Sequence, residues 1–158
     1  DSNVLILVRK IEHIKNMENI LKREFGLTRA IHVIHGQTKT DRNGIRKDID
    51  KTKGNILIAT YGTMSTGVSI KNITDVILAS SYKSRIKIIQ SIGRGLRKSV
   101  TKSSVWVWDM VDDICLSKGQ GKSVYMNAVY KHWLERLKYY KEEKYPYKSM
   151  SYELKDPN

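Results

Sequence analysis

A chain of 158 residues, 40% of them hydrophobic, is sized for one domain with a real core and is neither disordered nor fibrous. Lys plus Arg outnumber Asp plus Glu by 29 to 16, a formal net charge of +13 with a pI near 9.8, which points to a polyanionic partner, nucleic acid first. A single cysteine, Cys115, excludes an internal disulfide framework and a multi-cysteine zinc site, and the four histidines form no H-E-x-x-H pair. With no apolar run near the eighteen or so residues that span a bilayer and no signal peptide, a soluble cytoplasmic protein with no membrane partner is expected. The chain opens on Asp1 directly before an apolar run, as expected of a piece cut from a longer protein.

Residues 4–8 (V-L-I-L-V) form a continuous apolar run of strand length, the pattern of a strand covered on both faces. Ile11, Ile14, Met17, Leu21 and Phe25 then recur at helical spacing, and Gly26 is placed to end that helix. A second short strand is expected at 31–34, followed by His35-Gly36. Thr38 and Thr40 offer N-caps for a polar helix that carries Ile45 and Ile49 and is closed by Gly54. Residues 55–60 (N-I-L-I-A-T), 75–79 (D-V-I-L-A) and 104–109 (S-V-W-V-W-D) read as three more strands. Strands alternating with crossover segments predict an α/β fold, a parallel sheet with helices on both faces, whose ligands gather at the carboxyl ends of the strands. Arg9 and Lys10, His35 and Gly36, and Thr60 to Gly62 follow strands and are expected to meet on that edge.

Beyond Lys122 the pattern changes. Met126, Val129, Tyr130, Trp133, Leu134, Leu137 and Tyr140 make an apolar and aromatic stripe, with Lys131, Glu135, Lys138 and Glu142 facing away. An amphipathic helix of about five turns, packed on the core and stopped by Tyr145-Pro146-Tyr147, is predicted. Lys144, Tyr145, Tyr147, Lys148 and Tyr152 interleave base and ring, as a nucleic-acid stacking surface would; a short closing strand or cover segment is the preferred reading. The expected division is residues 1–116 as the α/β domain and 117–158 as a helical extension on it, with Gly119 to Gly121 as the hinge. His13 reads as a packing or capping residue, His32 and His132 fall on a strand and on the tail helix with no partner pattern, and Asp109, Asp112 and Asp113 read as a strand end and turn rather than a metal site, with a role near a cleft as the alternative.

Two stretches carry chemistry. Residues 90–97 read Q-x-x-G-R-x-x-R, and on a helix Gln90, Arg94 and Arg97 share one face while Ile88, Ile89 and Ile92 supply apolar contacts. Planar, permanently charged guanidiniums suit a phosphate, and an arginine set against a transferring phosphoryl group stabilises the charge of its transition state. Taken alone, the pattern also fits a solvated basic helix end. Its surroundings are strongly basic: residues 76–108 hold Lys83, Arg85, Lys87, Arg94, Arg97, Lys98 and Lys102 and no acid. The second stretch, residues 59–70, mixes Thr60, Tyr61, Thr63, Ser65, Thr66 and Ser69 with Gly62 and Gly67. Hydroxyls and closely approaching backbone can bind phosphate oxygens there, although an ordinary strand-to-helix turn has the same composition.

Together these motifs resemble those of the superfamily 2 helicases. A strand ending in Leu7-Val8-Arg9, His35-Gly36, A-T-x(6)-G-V-S from Ala59 to Ser69, and Q-x-x-G-R-x-x-R are similar in order and spacing to motifs IV, IVa, V and VI. The strand over 105–109 with Asp112-Asp113 after it resembles the continuation in the UvsW-type phage repair and recombination helicases. The resemblance implies the second RecA-like domain of an ATP-driven motor. ATP with Mg²⁺ would be bound mainly by a preceding RecA-like domain of the same protein, and the other partner would be branched or duplex DNA, or RNA. It places Arg97 as arginine finger, Arg94 as a second phosphate or interdomain contact, and Gln90 as a polar partner in the cleft. Gly67 and Ser69 would flank the nucleotide sugar, while Arg9, His35, Gly36, Thr60 and Tyr61 would lie toward the nucleic-acid strand. Many members carry an acid where Ser69 stands, so its ribose contact lacks a charge.

The glycine-rich phosphate cradle and the metal-binding carboxylate of such ATPases are absent from this sequence. Gly119-Gln120-Gly121-Lys122-Ser123 would need glycine where Leu116 stands. No metal site is assigned, and the domain alone is not expected to hydrolyse ATP. The expected function is the C-terminal motor domain of an ATP-dependent helicase that remodels branched DNA by branch migration, fork regression and unwinding of RNA:DNA hybrids. The alternatives are a restriction-type duplex translocase, an RNA helicase, or a nucleic-acid-binding module without motor chemistry.

Overall fold

The computed structural model describes residues 2–25, 29–35, 39–65, 70–95, 104–114 and 125–153. Five strands, β1 (Val4–Val8), β2 (Ile31–Ile34), β3 (Ile56–Thr60), β4 (Asp75–Leu78) and β5 (Trp106–Asp109), form one parallel sheet in the order β2-β3-β1-β4-β5. The helices are α1 (Ile11–Phe25), α2 (Lys39–Lys51), α3 (Tyr61–Ser65), α4 (Arg85–Gly95) and α5 (Ala128–Glu142).

Strand order dictates which helix lies on which face. From β1 the chain moves two places in one direction to reach β2, and every later crossover moves in the opposite direction. Right-handed crossovers running opposite ways emerge on opposite faces of a sheet. Accordingly, Ile14, Met17 and Leu21 of α1 pack with Ile6, Val8, Ile56 and Ile58 on one face. Ile49 of α2, Met64 of α3, Ile88 and Ile92 of α4 and Tyr140 of α5 pack with Leu5, Leu7, Leu57, Val76 and Leu78 on the other. The apolar runs read from the sequence are therefore the two-sided strands they were expected to be. α1 does not extend over β5, and on that face Trp106 is 68% exposed and Trp108 43%.

The helices match the expected positions with physical adjustments. Gly54 adopts a left-handed φ of 77° in the turn between α2 and β3, the conformation a glycine permits without a steric cost. Thr40 lies inside α2 rather than capping it. Thr38 and Gly26 lie outside the described residues. α5 is shorter than expected, 15 residues or about four turns, because Asn127 caps it: its Oδ1 accepts the Tyr130 backbone N–H at 2.7 Å. It ends at Glu142, one residue before the cap and two before Lys144 at φ 55°. Tyr145 then folds back against the core cluster, and no strand forms over 145–153. The segment thus covers the core without pairing to the sheet.

At the amino edge of the sheet a buried polar network closes the fold. The side chain of Asn3, 1% exposed, donates to the carbonyls of Ile49 at 3.2 Å and Thr52 at 2.9 Å. Its Oδ1 accepts from the backbone N–H and Nδ2 of Asn55 at 2.9 and 3.0 Å. Asn55 also donates to Thr52 Oγ1 at 2.9 Å and meets His32 Nε2 at 3.1 Å. Buried amides are stable only when so satisfied.

Candidate functional site at the carboxyl edge

Register decides what meets at the opposite edge. Ile34, Ala59, Leu7, Leu78 and Asp109 stand in one row across the sheet. The residues that follow them, including His35, Thr60 and Arg9, therefore leave the sheet on the same side. Arg9 is exposed and His35 half-buried. Thr60 acts as the cap of α3: its Oγ1 accepts the Thr63 N–H at 3.1 Å and lies 2.9 Å from Thr63 Oγ1.

Tyr61 departs from expectation. Its side chain is 1% exposed, its hydroxyl donates to the Ser80 carbonyl at 2.9 Å, and its ring lies 4.8 Å from that of Tyr82. As the first residue of α3 it turns inward, so only its backbone is on the edge. Burial, and then the charge of Asp109, raise its pKa well above the ordinary tyrosine value.

Helix α4 carries the first half of the Q-x-x-G-R-x-x-R pattern. Ile88, Ser91 and Ile92 are buried at 0, 1 and 2% exposure, and Gln90 is exposed. At about 100° per residue, position 90 lies about 200° round the helix from 88, so Gln90 is turned from the core. Arg94 lies in this helix. Arg97, Gly36, Gly67 and Ser69 lie outside the described residues, as do Cys115 and 119–123.

Behind this edge stands a node that sequence reasoning missed. Arg136 of α5, 1% exposed, forks onto Asp109 at the end of β5, with Nε to Oδ2 and Nη2 to Oδ1 both at 2.7 Å. Its Nη1 reaches the Tyr82 carbonyl at 3.5 Å, and the Tyr140 hydroxyl donates to Asp109 Oδ2 at 2.8 Å. Burial alone would lower the Arg136 pKa; the hydrogen bonds and charge of Asp109 more than offset it and leave it raised. Burial, then the Asp109 charge, raise that of Tyr140. Removing one member of such a buried pair costs about 3–5 kcal/mol, because the other is left uncompensated. The signal was present: Arg136 falls four residues before Tyr140, on the apolar row.

The basic stretch is also corrected in part. Lys83 lies 3.7 Å from Glu135. Arg85 bridges Glu142 at 2.7 Å and Glu143 at 3.0 Å beneath a cation–π contact of 5.6 Å with Tyr139. Lys87 donates to the Tyr82 hydroxyl at 3.0 Å, its ammonium 5.3 Å from the ring centre. The acids that balance this stretch come from α5, over forty residues further on. His13, His32 and His132 bond neighbouring groups of the fold: His13 with Ser80 at 3.5 Å, His32 with Asn55, and His132 with Ser81 at 2.8 Å.

Among the described residues no group of three or more His, Cys, Asp or Glu is placed to hold a metal ion, and no helix is long and apolar enough to cross a membrane. What the edge offers a ligand is exposed cation and amide, the donor set for phosphate oxygens.

The chain belongs to the helicase conserved C-terminal domain family, which matches residues 1–99, and its fold is that of the RecA-like second domain of superfamily 2 helicases. Among curated proteins it is 33% identical to the ATP-dependent DNA helicase uvsW of Enterobacteria phage T4 over 152 residues, 93% of this chain and 30% of that protein. It is 32% identical over 107 residues to the putative helicase 22 of Sulfolobus islandicus filamentous virus, 68% of this chain and 19% of that one. The crystal structure of T4 UvsW superposes with a TM-score of 0.76 at 33% identity, covering 90% of this chain and 29% of that one. Domain 2 of the DEAD-box helicase Mss116p, solved with an RNA duplex, shares the fold at TM-score 0.60 and 24% identity, over 71% and 43% of the two chains. This chain thus spans less than a third of the curated relatives' length.

Proposed function

We propose that this chain is the second motor domain of an ATP-dependent DNA helicase that remodels branched DNA in repair, recombination and replication, acting in the cytoplasm of the infected or host cell. The observation that carries the reading is the convergence, on one sheet edge, of Arg9, His35 and the start of α3, next to a helix α4 that carries Gln90 and Arg94, in a chain similar along 93% of its length to an ATP-dependent DNA helicase. Residues 1–116 form the RecA-like unit and 117–158 its extension. Arg9, His35, Gly36, Thr60 and the backbone of Tyr61 line the nucleic-acid track. Gly67 and Ser69 flank the nucleotide sugar.

The chemistry assigned to α4 is electrostatic. Gln90 donates or accepts at the polyphosphate, Arg94 pairs with a phosphate or with the facing domain, and Arg97 places a fixed positive charge where negative charge grows as the terminal phosphoryl group leaves. The nucleotide and Mg²⁺ supply the phosphoryl group and its neutralising cation; the residues that hold them belong mainly to the preceding RecA-like domain. Arginine fingers contribute about 10³–10⁵ in rate, roughly 4–7 kcal/mol of barrier.

The test is nucleic-acid-stimulated ATP turnover by the longer protein, its Arg97→Ala variant and this domain alone. The parent turns over, and the other two fall by about 10³ or more while the variant still binds ATP and DNA. An Arg97→Ala variant as fast as the parent overturns the mechanism. A parent that binds DNA yet never hydrolyses ATP makes the chain a nucleic-acid-binding module instead.

A further inference from the structure

We infer that helix α5 is a strap that sets the bearing of α4, and that Arg85 and Arg136 are positioning residues for the arginine-bearing end of that helix. The inference rests on α4 carrying the phosphate-facing arginines proposed above.

The contacts form a ladder. Ser81 meets His132, the Tyr82 carbonyl meets Arg136, Lys83 meets Glu135, and Arg85 meets Tyr139, Glu142 and Glu143. All of them fall on the segment that enters α4 or on the first residue of α4, and all their partners lie within residues 132–143, in α5 and its C-cap. The lower end of the strap is anchored to the sheet itself through Arg136 on Asp109. Tyr61, at the start of α3, closes the same cluster through Ser80 and the Tyr82 ring.

Apolar contact is non-directional. Ile88 and Ile92 set how deep α4 sits, and directional bonds must set which way it points. Arg85 lies nine residues before Arg94, about 13 Å along the axis. A swing of roughly 5° about the Arg85 end moves position 94 by about 1 Å, and a misplacement of that size can cost up to about 10²-fold in rate.

The Arg85 end of the strap, unlike the buried Arg136 pair, is not a stability device of the usual kind. Exposed ion pairs contribute little to folding, and both Arg85 and its two acids are substantially exposed. Nor is Arg85 arranged as a phosphate contact. The hydrogen bond it donates to Glu143, then the charge of Glu142, raise its pKa, and two carboxylates against one guanidinium leave the cluster with an excess of negative charge.

The test is charge exchange in the longer protein that carries the preceding motor domain. Arg85→Glu, the pair Glu142→Arg with Glu143→Arg, and the triple variant are compared with Arg97→Ala for kcat, KM for ATP and DNA affinity. Each half-exchange lowers kcat roughly five- to twenty-fold, with KM for ATP within about two-fold and the melting midpoint nearly unmoved. The triple variant restores kcat to within about two-fold, which a contact with nucleic acid would not do. A triple variant no more active than Arg85→Glu, or an Arg85→Glu variant as fast as the parent, overturns the strap. If Arg97→Ala is inactive while the exchange series is flat, the strap alone fails; if Arg97→Ala is active, the assignment of α4 fails with it.

Discussion

The two edges of the sheet are built from the same five strands and end in opposite ways. At the amino edge Asn3, Asn55, Thr52 and His32 bond one another, and the Arg29 guanidinium donates to the carbonyls of Gly54 and Ser2. Polar groups there are consumed internally. At the carboxyl edge Arg9, His35 and Thr60 follow the strand ends side by side, and Arg9 is exposed. One edge holds the sheet together; the other is the edge at which ligands gather in open parallel α/β sheets, and it is where the proposed site lies.

That contrast can be broken by experiment. The largest effect belongs to the proposed motor chemistry: Arg97→Ala is expected to lower turnover by about 10³ or more with an unchanged melting midpoint. The amino edge is expected to do the reverse. Asn55→Ala removes two donated hydrogen bonds and the His32 contact, about 2–3 kcal/mol in all. It should lower the melting midpoint by about 5–10 °C while turnover per folded molecule stays at the parent value. A loss of kcat in Asn55→Ala would erase the distinction between the edges.

Gly93 sharpens the comparison at smaller scale. It lies inside α4 with nothing within 4 Å of a built Cβ, so Gly93→Ala should stabilise this domain by about 0.4–1 kcal/mol, read as a small rise in melting midpoint. If the same change slows the longer protein several-fold, the glycine serves close approach of the facing domain.

An effect confined to alkaline pH, outside the working range of the protein, comes last. Tyr61 and Tyr140 have pKa values raised in the folded state, so the native form keeps protons that the unfolded chain sheds above about pH 10. Their contribution is complete below that value and is lost as pH rises beyond it, by at most about 1.4 kcal/mol per pH unit for each. Tyr140→Phe should be less stable than the parent at neutral pH, by the bond to Asp109, yet lose stability less steeply between about pH 10 and 12. Equal slopes for both proteins would refute the burial of that hydroxyl.

Much of this was legible in the residues. V-L-I-L-V and N-I-L-I-A-T declare two-sided strands by continuous apolar character, and Ile88 and Ile92 declare the buried row of α4 by spacing. The spacing from Ala59 to Ser69 and from Gln90 to Arg97 identified the family. Tyr61 was misplaced because a residue one step past a strand can face either way, and only the aromatic neighbour Tyr82 and the Ser80 carbonyl settle it. Arg85 read as free positive charge because its acids lie far along the chain.

What the sequence alone determined is what local periodicity and short motifs encode: five strands, their parallel arrangement, the helix bearing Gln90 and Arg94, and a basic protein of the helicase kind. Tertiary structure alone decided strand order, the closing of the amino edge by a buried amide network, and the pairing of Arg136 with Asp109 and of Arg85 with Glu142 and Glu143. Those are contacts between residues 27 to 58 positions apart. No window of sequence holds both partners, and a charge shows its partner only when folding has removed the water between them.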